Sequence, residues 1–153
     1  MKNTRRTQAE RRELTRKNVL ESATRLFGQH GYAGTSLEQI AADAGTTIRP
    51  IYHYFGKKKA LFEAVCVTME AQLVVVMEDS SLPDGHAGLL ARFRACLGYL
   101  AQPEFQRVVL LDAPAVLGQS RWADSPVVLA ASQLMSNLPL GNDPVRGPLI
   151  RRM

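Results

Sequence analysis

The sequence has no uninterrupted apolar run long enough to cross a bilayer. The run Leu73–Met77 is closed by Glu78 and Asp79, far short of the roughly 18–20 residues a spanning helix needs. A secretion signal is missing too: Met1 leads into Lys2, Arg5 and Arg6 with no apolar core behind them, so no export and no membrane partner are expected, and the cytoplasm is the default location. Cysteine is scarce. Cys66 and Cys96 stand outside any CxxC or Cys/His spacing, which leaves no metal-ligand set. Both fall in apolar helical patterns and read as buried reduced thiols, with redox sensing as the alternative. There is no glycine-rich phosphate loop, no GxSxG, no HExxH and no convincing pair of carboxylates. His30, His53 and His86 fall at helix ends or in a linker. No catalytic residue, metal or cofactor is therefore expected, and the chain does not read as an enzyme. Sustained strand-like alternation and internal repeats are also absent, which points to an all-α fold.

Charge is present, and its placement is informative. Residues 1–17 carry Lys2, Arg5, Arg6, Arg11, Arg12, Arg16 and Lys17 against only Glu10 and Glu13, so the net +5 of the whole chain is already reached there. A second basic cluster is Lys57-Lys58-Lys59. Two basic patches in the first third of the chain suit a polyanion there and not over the whole surface. A solubilising tail explains the first patch equally well.

Helical periodicity starts at about Arg11, with Val19, Leu20, Ala23, Leu26 and Phe27 on one side. His30-Gly31 ends it, glycine being suited to the left-handed position beyond a helix. Ser36 with Gln39 three residues on forms a capping-box pattern that opens a short second helix. Leu37, Ile40, Ala41 and Ala44 give that helix an apolar face, and Gly45 closes it. The start of the third helix follows from a steric argument. Pro50 has no backbone N–H, so it belongs where that donor has no intrahelical partner. With Thr47 as N-cap, Pro50 is the third helical residue, the last position that qualifies, and the helix spans about Ile48 to Tyr54. Two short helices about a glycine turn make a helix-turn-helix pattern. A long fourth helix is expected over about Lys58–Glu78, a linker at Ser80–His86, and further helices over about 87–101, 104–117 and 125–137. Residues 138–153, with weak periodicity, are expected to be poorly ordered or to begin an uncompleted helix.

The segment TSLEQIAADAGTTIRPIYHYF from Thr35 to Phe55, followed by Lys58 and Leu61 and preceded by Val19, Leu20, Ala23, Leu26-Phe27 and Gly31-Tyr32, resembles the TetR family of repressors. The resemblance covers about Val19 to Val65. A shorter stretch, Asp112-Ala-Pro-Ala-Val-Leu-Gly118 with Arg121-Trp122, is similar to part of the ligand-binding region of some members. It implies an all-α fold: an N-terminal three-helix helix-turn-helix DNA-binding domain, then a helical ligand-binding and dimerisation domain, incomplete here because members usually continue for some tens of residues past the point corresponding to Met153. The expected division is a basic arm at 1–17, the helix-turn-helix domain at 18–57, a connecting helix at 58–79 and a helical regulatory region at 80–153.

The resemblance implies a sequence-specific transcriptional regulator, a repressor released by a small-molecule effector. Its partners are double-stranded DNA and a second copy of the chain. The alternative is an interaction subunit that no longer binds DNA and forms mixed dimers with a full-length relative. A recognition helix presents its leading residues to base edges while neighbouring helices hold phosphates. Thr47, Arg49 and Pro50 occupy that leading end. Arg49 stands where the family often has a small residue; it can read guanine O6 and N7, hold a phosphate, or simply be solvated. Tyr52 matches the family's phosphate-contacting tyrosine, with a structural role as the alternative. His53 lies on the same helix and is a backbone-contact candidate. Lys58 matches the lysine at the start of the fourth helix. Thr35 and Ser36 are phosphate candidates at the start of helix two, although capping alone explains Ser36. The basic residues from Arg5 to Lys17 read as a flexible arm able to track phosphates or a minor groove. No ligand site is assigned: Val74, Met77, Leu90, Phe93, Leu97, Phe105, Val109 and Trp122 are pocket candidates or plain core.

Overall fold

The computed structural model describes residues 7–79 and 85–137. Lys2, Arg5 and Arg6 of the expected arm, most of the expected linker and the whole 138–153 tail lie outside the described residues, as does the side chain of Trp122. Among the described residues there is no strand. The chain runs through α1 (Gln8–His30), α2 (Leu37–Asp43), α3 (Ile48–Phe55), α4 (Lys58–Met77) and α5 (Gly85–Leu100). Beyond these come α6 (Pro103–Phe105), a π-helical stretch Gln106–Asp112, α7 (Ala113–Leu117), a 3₁₀ stretch Gln119–Asp124 and α8 (Pro126–Asn137).

Local chemistry explains most of the boundaries. Thr7 and Glu10 form a capping box that starts α1, so the helix begins a turn earlier than its apolar periodicity suggests. The bases Arg11, Arg12, Arg16 and Lys17 therefore ride on a helix, not on a flexible arm. Gly31 ends α1 at φ 73° and Gly45 follows α2 at φ 64°, a region where a Cβ would strain the backbone. Ser36 and Gln39 close the second capping box. Thr47 takes the N-cap position of α3 without a side-chain cap bond, and Pro50 is the third residue of that helix.

Helices α1 to α4 enclose the first part of the core. Phe27, Ile40, Ile51, Leu61, Phe62 and Val65 are all fully buried there, each stabilising the fold by about 1.5–3 kcal/mol through burial. The Phe27, Tyr32 and Phe62 rings meet at centroid distances of 5.9, 5.1 and 5.0 Å, within the range where aromatic pairs add to area burial. An ion pair between Arg25 and Asp43 ties α2 to α1.

Helix α4 continues into the second part, where it packs against α5, α7 and α8. By length and composition it could span a membrane, with a mean hydropathy of 1.8. Its apolar residues Leu61, Phe62, Val65, Met69, Leu73 and Met77 instead lie inside the protein. On the same helix Glu70 is fully buried. It accepts two hydrogen bonds from Arg121, at 2.7 and 3.0 Å, and this pairing lets a carboxylate sit in a core. Cys66 is buried and Cys96 half-buried, both as free thiols. Burial pushes the Cys66 thiol up to about 12, a setting for an inert structural cysteine.

The two parts meet along α1. Gly28 lies so close to α6 that an added Cβ would stand 2.7 Å from Glu104 Cγ and 2.8 Å from Cβ. One turn further on, the Tyr32 amide donates a 2.7 Å hydrogen bond to Asp112 Oδ2, at the end of the π-helical stretch.

Candidate nucleic-acid interface

Helix α3 presents two distinct faces. Ile51 is fully buried, and Ile48 and Phe55 pack partly buried against the core. Arg49, Tyr52 and His53 lie at i, i+3 and i+4 on the other side and are exposed, as is Thr47. The spacing puts all three on one helical face. The inner residues fix the helix, and the outer row is left free to touch something else.

A cleft of about 480 Å³ lies along the leading end of α3, lined by Arg12, Thr47, Arg49, Pro50, His53 and Tyr54. It carries two arginines and no acid. Arg12 comes from the second turn of α1. The charge pattern pointed to a flexible basic arm over Arg5–Lys17, whereas the Thr7–Glu10 capping box starts α1 ahead of Arg12. Two of its basic neighbours are otherwise engaged. Arg16 lies 3.6 Å from Glu13 and its guanidinium sits 5.8 Å from the Phe55 ring centroid. Lys17 pairs with Glu21 at 3.7 Å.

A second cleft, of about 500 Å³, gathers Ser36, Tyr52 and Lys58 with the 33–39 segment. Tyr52 is 55% exposed, so its ring is not a core anchor. Ser36 accepts the Gln39 amide at 3.2 Å, and its own hydroxyl proton can still be donated outward. Lys58 is half-buried, its ammonium 4.3 Å from the Tyr32 ring centroid.

Thr35 is the correction. Its residue is 2% exposed, and its hydroxyl donates to the Gly31 carbonyl at 2.9 Å, with the Leu26 carbonyl at 3.1 Å. That proton is spent on closing the α1–α2 turn, and the side chain cannot serve a phosphate. The remaining expected residues sort into two groups: Thr47, Arg49, Pro50 and His53 on one cleft, Ser36, Tyr52 and Lys58 on the other. The pocket candidates do not converge. Met77, Phe105 and Val109 are buried in the core, whereas Leu90, Phe93 and Leu97 are exposed on α5.

A short helix held by its apolar side, offered at its polar side, and attached to a larger helical domain defines the helix-turn-helix class of DNA-binding proteins. Comparison narrows the class. Residues 19–65 match the family model described as bacterial regulatory proteins, tetR family, and residues 86–137 match a tetracyclin repressor-like C-terminal domain. A TetR-family transcriptional regulator from Pectobacterium atrosepticum, of known structure, is 37% identical; the match covers 87% of this chain and 70% of that one, with a TM-score of 0.61. The chain belongs to the TetR family. Among curated relatives, the HTH-type transcriptional repressor AcnR of Corynebacterium glutamicum is 32% identical over 76 residues, 50% of this chain and 40% of AcnR. The HTH-type transcriptional repressor NicS of Pseudomonas putida is 41% identical over 57 residues, 37% of this chain and 27% of NicS. In both cases the matched region spans less than half of the relative's length.

Proposed function

We propose that the protein is a sequence-specific DNA-binding transcriptional regulator, a cytoplasmic repressor that acts as a homodimer and is released by a small-molecule effector. The observation that carries this reading is the cleft beside α3, where Arg12 and Arg49 face open space with no acid among the lining residues. Helix α3 has eight residues, and an α-helix with its side chains, about 10–12 Å across, fits the width of a B-DNA major groove.

The division of labour follows from the two clefts. Arg49 reads guanine O6 and N7 through its paired donors. Thr47 and Pro50 bring the helix end against the bases, and His53 lies over the adjoining backbone. In the second cleft, Ser36, Tyr52 and Lys58 hold phosphates, which fix the register of α3 without reading sequence. Two copies related by a twofold axis place their α3 helices on half-sites about one helical turn, roughly 34 Å, or a multiple of it apart. The effector acts on the helical region beyond α4, and the repressor names of the relatives support repression as the direction of control.

Selection of bound sequences from random DNA at two salt concentrations tests the reading, with a symmetric enriched site as the expected result and no enrichment as the result against it. The Arg49→Ala variant then sharpens it. Loss of about 1–3 kcal/mol per half-site on the selected duplex but not on random DNA is expected for a base-reading arginine. Equal loss on both assigns Arg49 to a phosphate. Light scattering of the protein on its selected duplex checks the stoichiometry of two chains per site.

A further inference from the structure

Lys58 is half-buried, and it is held by contacts that begin in the C-terminal region. Its ammonium lies 4.3 Å from the centroid of the Tyr32 ring, close enough for the ring's negative face to fix the cation. That ring is wedged against Phe27 and Phe62, at 5.9 and 5.0 Å. The Tyr32 backbone is pinned as well, because its amide donates to Asp112 Oδ2 at 2.7 Å across 80 residues of sequence. The approach depends on Gly31: a Cβ there would lie 3.1 Å from the same Asp112 oxygen. Asp112 closes the π-helical stretch, a wide-turn geometry that recurs at functional positions. It lies within the part of the chain that matches the C-terminal family domain.

We infer that Tyr32 and Asp112 are positioning residues for the phosphate contact of Lys58: Asp112 holds the Tyr32 backbone, and the Tyr32 ring holds the Lys58 ammonium in the cleft beside Ser36 and Tyr52. The inference rests on the DNA-binding reading and adds a route from the C-terminal region to the phosphate cleft. Any change that withdraws Asp112 frees the Tyr32 amide, loosens the ring and lets the lysine swing away from its phosphate.

The test is a salt titration of binding to the selected duplex, with thermal unfolding measured on each variant. Lys58→Ala removes one phosphate contact per chain, hence two per dimer-bound duplex, and makes the slope of log K against log salt shallower by about 1.8. Tyr32→Leu and Asp112→Ala are expected to weaken binding about two- to five-fold for each bound chain and to move the slope in the same direction. Neither adds to the loss already caused by Lys58→Ala. Tyr32→Phe keeps the ring and Asp112→Asn keeps an oxygen acceptor, and both are expected to bind as the parent does. Tyr32→Met, which refills the apolar space without a π face, replaces the leucine variant if that one does not fold.

An unchanged slope in Tyr32→Leu and Asp112→Ala, with lower thermal stability alone, overturns the inference, and so do losses that add to that of Lys58→Ala. If Lys58→Ala leaves the slope unchanged while the parent still binds its duplex, the inference fails and the proposed function stands. A parent that binds no duplex overturns both.

Discussion

Residues 19–65 and residues 86–137 belong to one helical chain, but they are built differently. The N-terminal region closes its core over a short stretch of sequence, with Phe27, Ile40, Ile51 and Phe62 fully buried and glycine at the turns after α1, α2 and α3. Its exposed α3 row is polar. The C-terminal region keeps Leu90, Phe93 and Leu97 exposed on α5, with Phe93 at 60%. It passes through π-helical and 3₁₀ stretches and relies on a buried ion pair to α4. The lesson is one of range. Where neighbours in sequence are neighbours in space, short-range signals suffice. Where an element is held by partners dozens of residues away, its shape depends on them.

The largest way to break this contrast is Arg121→Met. It leaves Glu70 buried without its partner, which costs about 3–5 kcal/mol. Urea unfolding is expected to register that loss. Hydrogen exchange is expected to accelerate first in α4 beyond Glu70 and in α8, ahead of α2 and α3. Simultaneous loss of protection in α2 and α3 would mean that the two regions unfold as one unit.

Gly28→Ala tests the seam between them. The new methyl would overlap Glu104 at its Cβ and Cγ, and relieving that overlap by moving α6 costs about 1–3 kcal/mol. A variant as stable as the parent would show that α6 shifts freely, and hence that the seam is loose.

The smallest effect is expected within the N-terminal region. Hydrogen bonds from Arg25 and then Ser22 hold the Asp43 carboxyl below its ordinary range. A group with a lowered folded value stabilises the fold fully above its unfolded value, near 4. That contribution disappears as the pH falls through the folded value. Asp43→Asn is therefore expected to be slightly less stable than the parent near neutrality and to show a gentler loss of stability below about pH 4. Parallel acid limbs for the two proteins would remove Asp43 from the account.

Much of the first region was legible in the residues. Ser36 with Gln39, Gly45, and the pairing of Thr47 with Pro50 each act within one turn of helix, so the limits of α2 and α3 could be placed from local sterics alone. The Thr7–Glu10 box is equally local, and it starts α1 about a turn before the periodicity that begins near Arg11. Thr35 could not be assigned from pattern, because a threonine beside a serine N-cap looks the same whether its hydroxyl faces solvent or the Gly31 carbonyl. The contact of Asp112 with Tyr32 has no sequence signature at all.

Taken alone, the residues determined where helices start and stop around the turn, which side of α3 is apolar, and which family the chain resembles, because caps, glycines and proline act through the nearest few backbone atoms. Only the folded structure decided which polar groups are free. Thr35 is turned inward and Tyr52 outward, Lys58 lies against a ring, and Glu70 is neutralised by Arg121. These outcomes depend on what packs against each side chain from distant parts of the chain, and burial is a property of that packing.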